Sequence, residues 1–154
     1  MRSRPVRLPV CFVIVSALIA PILFVRWQSR CDVADVDRIT EAIESAYESV
    51  GTGLVYIASI PVGVPPPEPD ARAAMRSGAE HASRRCSSVH VVIEGQGLRR
   101  AIIRSVSAGL LLATRASFSI HTDAEEALHA ASQNIPFEFP EILAIAREKG
   151  LVAA

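Results

Sequence analysis

The chain has 154 residues, 16 basic and 16 acidic side chains, half of its residues hydrophobic and 5% aromatic. A chain of this length forms one domain and buries about two-thirds of the surface it exposes when unfolded, so a core can form without disulfide staples or a structural metal. A formal charge of zero provides no global field for phosphate backbones, so nucleic acid is not an expected partner.

The first feature is an uncharged apolar run from Leu8 to Val25, preceded by Arg2, Arg4 and Arg7 and followed by Arg26 and Arg30. Its length suffices to cross a bilayer. A cleaved signal fits less well, because cleavage after Ala20 places Leu18 at the small-residue site and Pro21 just past the cut, while cleavage after Ala17 leaves a short apolar region. Pro21 would break a helix near its centre, and Val10, Val13, Ile14, Val15, Ile19, Ile22 and Val25 are β-branched. The run is therefore expected to form two core strands, Val10–Ser16 and Ile22–Trp27, with a bend over Ser16–Pro21. The alternative is a single-pass membrane helix over residues 8–25 that anchors an α/β domain, with a membrane as partner through that segment.

Beyond Cys31 the apolar residues Val36, Ile39, Ile43, Ala46 or Tyr47, and Val50 fall three and four apart, the spacing of an amphipathic helix. Asp32 or Asp35 caps its start and Gly51 ends it. Leu54–Ile60 predicts a strand. Five prolines between Pro61 and Pro69 then form a stiff connector, and Pro69 opens a helix to about Cys86. Ala71, Ala74, Met75, Gly78, Ala79 and Ala82 give that helix a small-residue stripe for close packing. Val89–Glu94 is the clearest strand, and Gly95-Gln96-Gly97 turns it into a helix from Leu98 to about Ala113. Phe118–His121 is a further strand, Thr122 with Glu125 forms a capping box for a helix over Ala124–Gln133, and a last helix runs from Pro140 to Gly150.

This alternation predicts a single α/β domain over residues 1–154, with a mixed, largely parallel sheet, helices packed on its faces and residues 134–154 as a C-terminal helical extension. Charge is segregated along it: the first helix is acidic, and the segment around Arg84, Arg85, Arg99, Arg100 and Arg104 is basic. That separation predicts solvated helix faces with the capacity for a polar interface.

The stretch Val89-His-Val-Val-Ile-Glu-Gly-Gln-Gly-Leu, followed by Ala101-Ile-Ile-Arg-Ser-Val, resembles small bacterial STAS-like, or anti-sigma-factor-antagonist-like, domains. Pro69-Asp70-Ala71-Arg72 and Thr122–Leu128 sit where the resemblance wants a helix start and a closing helix. It spans residues 33–131, and its most specific part is the turn Glu94–Gly97 with Arg104 one helix face along. It implies a compact regulatory domain without a cofactor, cytoplasmic, binding a protein partner or a small ligand, with strands in the N-terminal region. The chain departs from the classical antagonists, which look to carry a phosphorylatable serine at the turn; here the turn is Gly95-Gln96-Gly97, and Ser105 and Ser107 fall inside the helix.

The candidate contact residues are accordingly Glu94, Gly95, Gln96, Gly97, Arg99 and Arg100. The turn aims backbone amides at a helix start and so resembles an anion site, with Arg99 and Arg100 as charge partners, but it lacks the dinucleotide fingerprint. A small enzyme or binder of an anionic ligand at this turn is the second alternative. Glu94, at the carboxyl end of a strand, is either exposed or paired with an arginine. His129 lies three and four residues after Glu126 and Glu125, a spacing that predicts a surface ion pair rather than a metal site. His81, His90 and His121 are expected to be solvent-facing or hydrogen-bonded structural residues. Cys11, Cys31 and Cys86 lack any Cys-x-x-Cys pairing and fit a reducing compartment. No catalytic residue, metal or cofactor is assigned; the expected function is non-enzymatic regulation or protein interaction.

Overall fold

The fold is taken from a computed structural model, which describes residues 14–95, 97, 101, 105, 109, 118–133 and 135–154. Five strands form one sheet: β1 (Ile14–Ile19), β2 (Ile22–Trp27), β3 (Val55–Ile60), β4 (Ser88–Ile93) and β5 (Ser119–His121). Their spatial order equals their order in sequence. β1 is antiparallel to β2, and every later pairing is parallel. The helices are α1 (Val33–Val50), α2 (Pro69–Arg85), α3 (Ala124–Ser132) and α4 (Phe139–Glu148). The expected α/β class with a mixed, mostly parallel sheet is what the chain adopts.

The apolar N-terminal run becomes a hairpin. Ile19 opposes Ile22, so the turn is only Ala20-Pro21, whose peptide bond is cis. The first strand runs past the expected end at Ser16 to Ile19, because the tight turn draws Ala17, Leu18 and Ile19 into register with β2; residues 10–13 lie outside the described residues. Ile22, Phe24 and Val25 are fully buried. Residues 14–25 are thus not a membrane helix, and among the described residues no helix is long and apolar enough to cross a membrane. The physical reason is the one Pro21 and the branched side chains supply: a proline in mid-run breaks a helix, whereas a hairpin turn accommodates it.

Side-chain alternation along the strands sorts the core into two layers. Leu23, Val25, Trp27, Tyr56 and Ala58 point toward α1 and α2, where Val36, Ile39, Ile43, Ala46 and Ala82 meet them. Ile22, Phe24, Val55, Ile57 and Val92 point the other way, under Ala127, Leu128 and Ala131 of α3, Ile142, Leu143 and Ala146 of α4, and Leu151 and Val152 beyond it. β-strand, helix, β-strand units cross over in one hand. That places α1 and α2 on one face, while α3, which follows the edge strand, turns back to cover the other.

Local signals explain the helix limits. Asp32 accepts from Asp35 N and the Asp35 carboxylate accepts from Asp32 N, both at 2.9 Å, so both candidate caps are used in one reciprocal box. Gly51, at φ 74°, ends α1. Pro69 occupies the first turn of α2. The box expected from Thr122 and Glu125 is shifted by one residue. Asp123 accepts from Glu126 N at 2.8 Å, and Glu126 Oε2 in turn accepts from both Thr122 N and Thr122 Oγ1. These two donors hold the Glu126 carboxyl below its ordinary range.

The charge segregation read from the sequence becomes a helix pair. Glu44 of α1 lies 2.8 Å from both Arg85 Nε and His81 Nε2 of α2, and the Arg85 guanidinium stacks 4.8 Å over Tyr47. Between these helices and the sheet lies an apolar cavity of about 110 Å³, bordered by Trp27, Val36, Tyr56, Met75, Val89 and Phe118 among others.

Candidate functional site at the carboxyl edge of the parallel strands

Parallel α/β sheets gather ligands at the carboxyl ends of their strands. Here β2, β3 and β4 end beside one another, with Arg26 opposite Ser59 and Ile60 opposite Ile93. Glu94 N donates to Ile60 O at 3.0 Å, which extends the ladder by one residue beyond β4. The pleat then directs Arg26, Ser59 and Glu94 to the same side of the sheet.

Their side chains form a closed network. Arg26 donates from Nη1 to Glu94 Oε1 at 2.6 Å and from Nη2 to Oε2 at 3.1 Å, a two-pronged pair that matches the planar fork to both carboxylate oxygens. Ser59 Oγ accepts from Arg26 Nη1 at 3.1 Å and donates to Glu94 Oε1 at 3.0 Å. With side-chain exposures of 17% and 14%, the two ions are largely withdrawn from water, so their mutual hydrogen bonds stand in for lost hydration. Of the two alternatives for Glu94 posed by the sequence, pairing with an arginine holds, but the partner comes from β2.

After Glu94 the backbone reverses through Gly95, at φ 91°. A Cβ there would lie 2.7 Å from Val62 Cγ2, so the turn presses against the loop after β3 as well as adopting a left-handed conformation. Gly97 also has positive φ, 88°, and its carbonyl accepts from Ala101 N at 3.2 Å, a bond of helical spacing. Gln96, Arg99 and Arg100 lie outside the described residues, as do Arg104, Ser107 and the apolar positions 102, 103, 106 and 110–112. Ser105 is helical and exposed. On the same edge Val62 is 70% exposed, and Arg30 pairs with Glu68, which precedes α2.

Two of the three cysteines, Cys31 and Cys86, are buried. Burial, with Asp35 and Asp32 nearby, pushes Cys31 up to about 12, and burial alone pushes Cys86 up to about 12. Both are free, and Cys11 lies outside the described residues. His129 is exposed; Glu126 engages Thr122 and approaches His121 instead, so the expected pairing of His129 with this carboxylate does not form.

Sequence reasoning missed one cluster. His90 of β4 and His121 of β5, 4% and 7% exposed, meet with Nδ1 and Nε2 2.9 Å apart. The other His90 nitrogen lies 3.0 Å from Ser88 Oγ, and His121 Nδ1 lies 3.8 Å from Glu126 Oε1. The available signal was the i, i+2 spacing of Ser88 and His90 on one strand face. The pairing of β4 with β5, which sets His121 opposite Val92, could not be obtained from either strand alone. Among the described residues no group of three or more His, Cys, Asp or Glu side chains is arranged to hold a metal.

No protein-family model matches the chain, and no curated protein or solved structure shows significant similarity to it.

Proposed function

We propose that the chain is a STAS-like regulatory domain that acts by binding a protein partner in the cytoplasm, without catalysis. The observation that carries this reading is the Arg26–Ser59–Glu94 network, which fixes the exit of β4 and hence the turn at Gly95 and Gly97 on the carboxyl edge. A turn braced from below by an ion pair and from the side by Val62 is a pre-organised contact surface, and pre-organisation lowers the ordering cost of binding. The basic sequence that follows, Arg99 and Arg100, favours a partner with an acidic surface. The N-terminal strands β1 and β2 support the resemblance, and the free thiols Cys31 and Cys86 suit a reducing compartment.

The test is site-specific photocrosslinking in the native host, with the photoreactive residue placed at Gln96 and, as a control, at Glu48 on α1. The reading expects one discrete adduct from position 96, absent from position 48 and lost when Arg99→Glu and Arg100→Glu are introduced together. Equal adducts from both positions, or none from position 96, overturn it. Stabilisation by inorganic phosphate that Arg99→Ala with Arg100→Ala abolishes, without any adduct, would assign the turn to an anionic small ligand instead.

A further inference from the structure

The paired imidazoles of β4 and β5 are unused by the proposed contact surface, and their placement joins the short edge strand β5 to the interior strand β4. β5 contributes only three residues, paired as His90 with Ser119, Val91 with Ile120 and Val92 with His121. α3 follows directly and supplies the buried Ala127, Leu128 and Ala131 to the core layer that His90 and His121 face. The hydrogen-bonded series Ser88 Oγ, His90, His121, with Glu126 Oε1 3.8 Å beyond it, therefore adds a side-chain link to the backbone ladder between β4 and β5 and reaches α3.

The proton capacity of this series is limited by its geometry. Two neutral imidazoles 2.9 Å apart share one hydrogen, one ring donating and the other accepting. One added proton keeps the bond, since a protonated ring still donates to a neutral one, and His121 Nδ1–H then faces the Glu126 carboxylate. A second proton places N–H against N–H across 2.9 Å, with both rings buried. From every packed element the groups facing the pair are accounted for among the described residues: β3 offers Ile57 opposite His90, α3 offers Glu126 and otherwise apolar side chains, and β4 offers Ser88 and Val92. Glu94, the nearest acid along β4, is engaged by Arg26. Among the described residues no counter-ion is thus available for His90.

We propose that the Ser88–His90–His121–Glu126 series is a proton-operated latch, in which full protonation of the two imidazoles separates them and releases β5 and α3, residues 119–132, from the rest of the sheet. Burial, reinforced by the neighbouring His121, holds His90 down at about 4. A histidine depressed in the folded state contributes stability that is complete above its unfolded value near 6.5 and is lost as pH falls toward 4. Release is accordingly confined to that acidic window. This inference stands apart from the contact surface proposed above, which uses neither histidine.

Hydrogen–deuterium exchange of the full chain at about pH 7 and about pH 5, corrected for intrinsic rates, tests it. Amides of 119–132 are expected to lose protection at least about tenfold on acidification while those of 22–27 and 55–60 keep theirs, and His90→Gln, which retains a hydrogen-bonding amide, is expected to abolish the difference. Uniform change across the sheet, or an unchanged acid response in His90→Gln, overturns the latch. Should that variant not fold, the wild-type protein still decides: imidazole nitrogen shifts of His90 must titrate together with the amide shifts of 119–132, and independent titration overturns the proposal.

Discussion

Gly78 of α2 passes so close to Val36 of α1 that a Cβ at position 78 would lie 3.0 Å from Val36 Cγ1. The two helices therefore leave little room for a side chain at position 78. Its response to added bulk depends on Val36, which also borders the apolar cavity of about 110 Å³ and so has room to shift. Gly78→Ala is therefore expected to be neutral or stabilising by about 0.5 kcal/mol, as the gain in helix propensity offsets the small displacement. Gly78→Ile exceeds what a shift of Val36 can accommodate and is expected to destabilise by about 1–3 kcal/mol. Urea denaturation of the two variants measures both; an equal loss in each would show that Val36 is held rigidly.

The ion pair of Arg26 and Glu94 predicts an asymmetry. Arg26→Leu strands a short carboxylate beside Ser59 with 14% exposure, whereas Glu94→Leu leaves a long guanidinium that can extend toward water. The first is expected to cost about 2–3 kcal/mol and the second about 1–2 kcal/mol, below the loss for a fully buried pair. The double variant should be more stable than the sum of the single losses predicts, by about 1 kcal/mol or more. Additive losses in the completed double-mutant cycle would show that the two side chains do not stabilise each other.

Asp32 and Asp35 cap α1 reciprocally. Asp32→Ala removes the acceptor for Asp35 N and is expected to cost about 1 kcal/mol, a fall of about 2–4 °C in Tm for a chain of this size. Asp32→Asn, which retains a side-chain oxygen, should recover most of it. Calorimetry on the three proteins checks the order.

Cys31 and Cys86, both raised to about 12 by burial, carry almost no thiolate at neutral pH. Neither is expected to react with a disulfide reagent in the folded protein at about pH 8, and both should react at once in denaturant. Peptide mapping after timed alkylation distinguishes them from Cys11.

Much of the fold was legible because its signals are local. The three- and four-residue spacing from Val36 to Ala46, the capping acids at 32 and 35, and the proline opening α2 each act within one or two turns of chain. Pro21 also correctly separated the apolar run into strands. Its exact partners were not legible: whether Ser16 or Ile19 ends β1 depends on pairing with β2, a property of two segments together. The candidate site divides in the same way. Glu94 and the glycines announced themselves through their strand-to-turn position, but Arg26 lies 68 residues away and only the parallel register of β2, β3 and β4 brings it to Glu94. His90 and His121, read singly as solvent-facing or structural, gained their relationship from β4 and β5 lying side by side.

The sequential strand order also governs how the protein is born. Each strand that leaves the ribosome finds its sheet neighbour already made, so β1 to β4 with α1 and α2 can assemble from chain that ends near residue 93. The opposite layer cannot. Among the described residues, the helical cover over Ile22, Phe24, Val55 and Ile57 comes from residues 124–152. A nascent chain halted before α3 therefore displays an apolar sheet face without that helical cover, and synthesis of residues 124–152 is the interval in which a chaperone has something to hold.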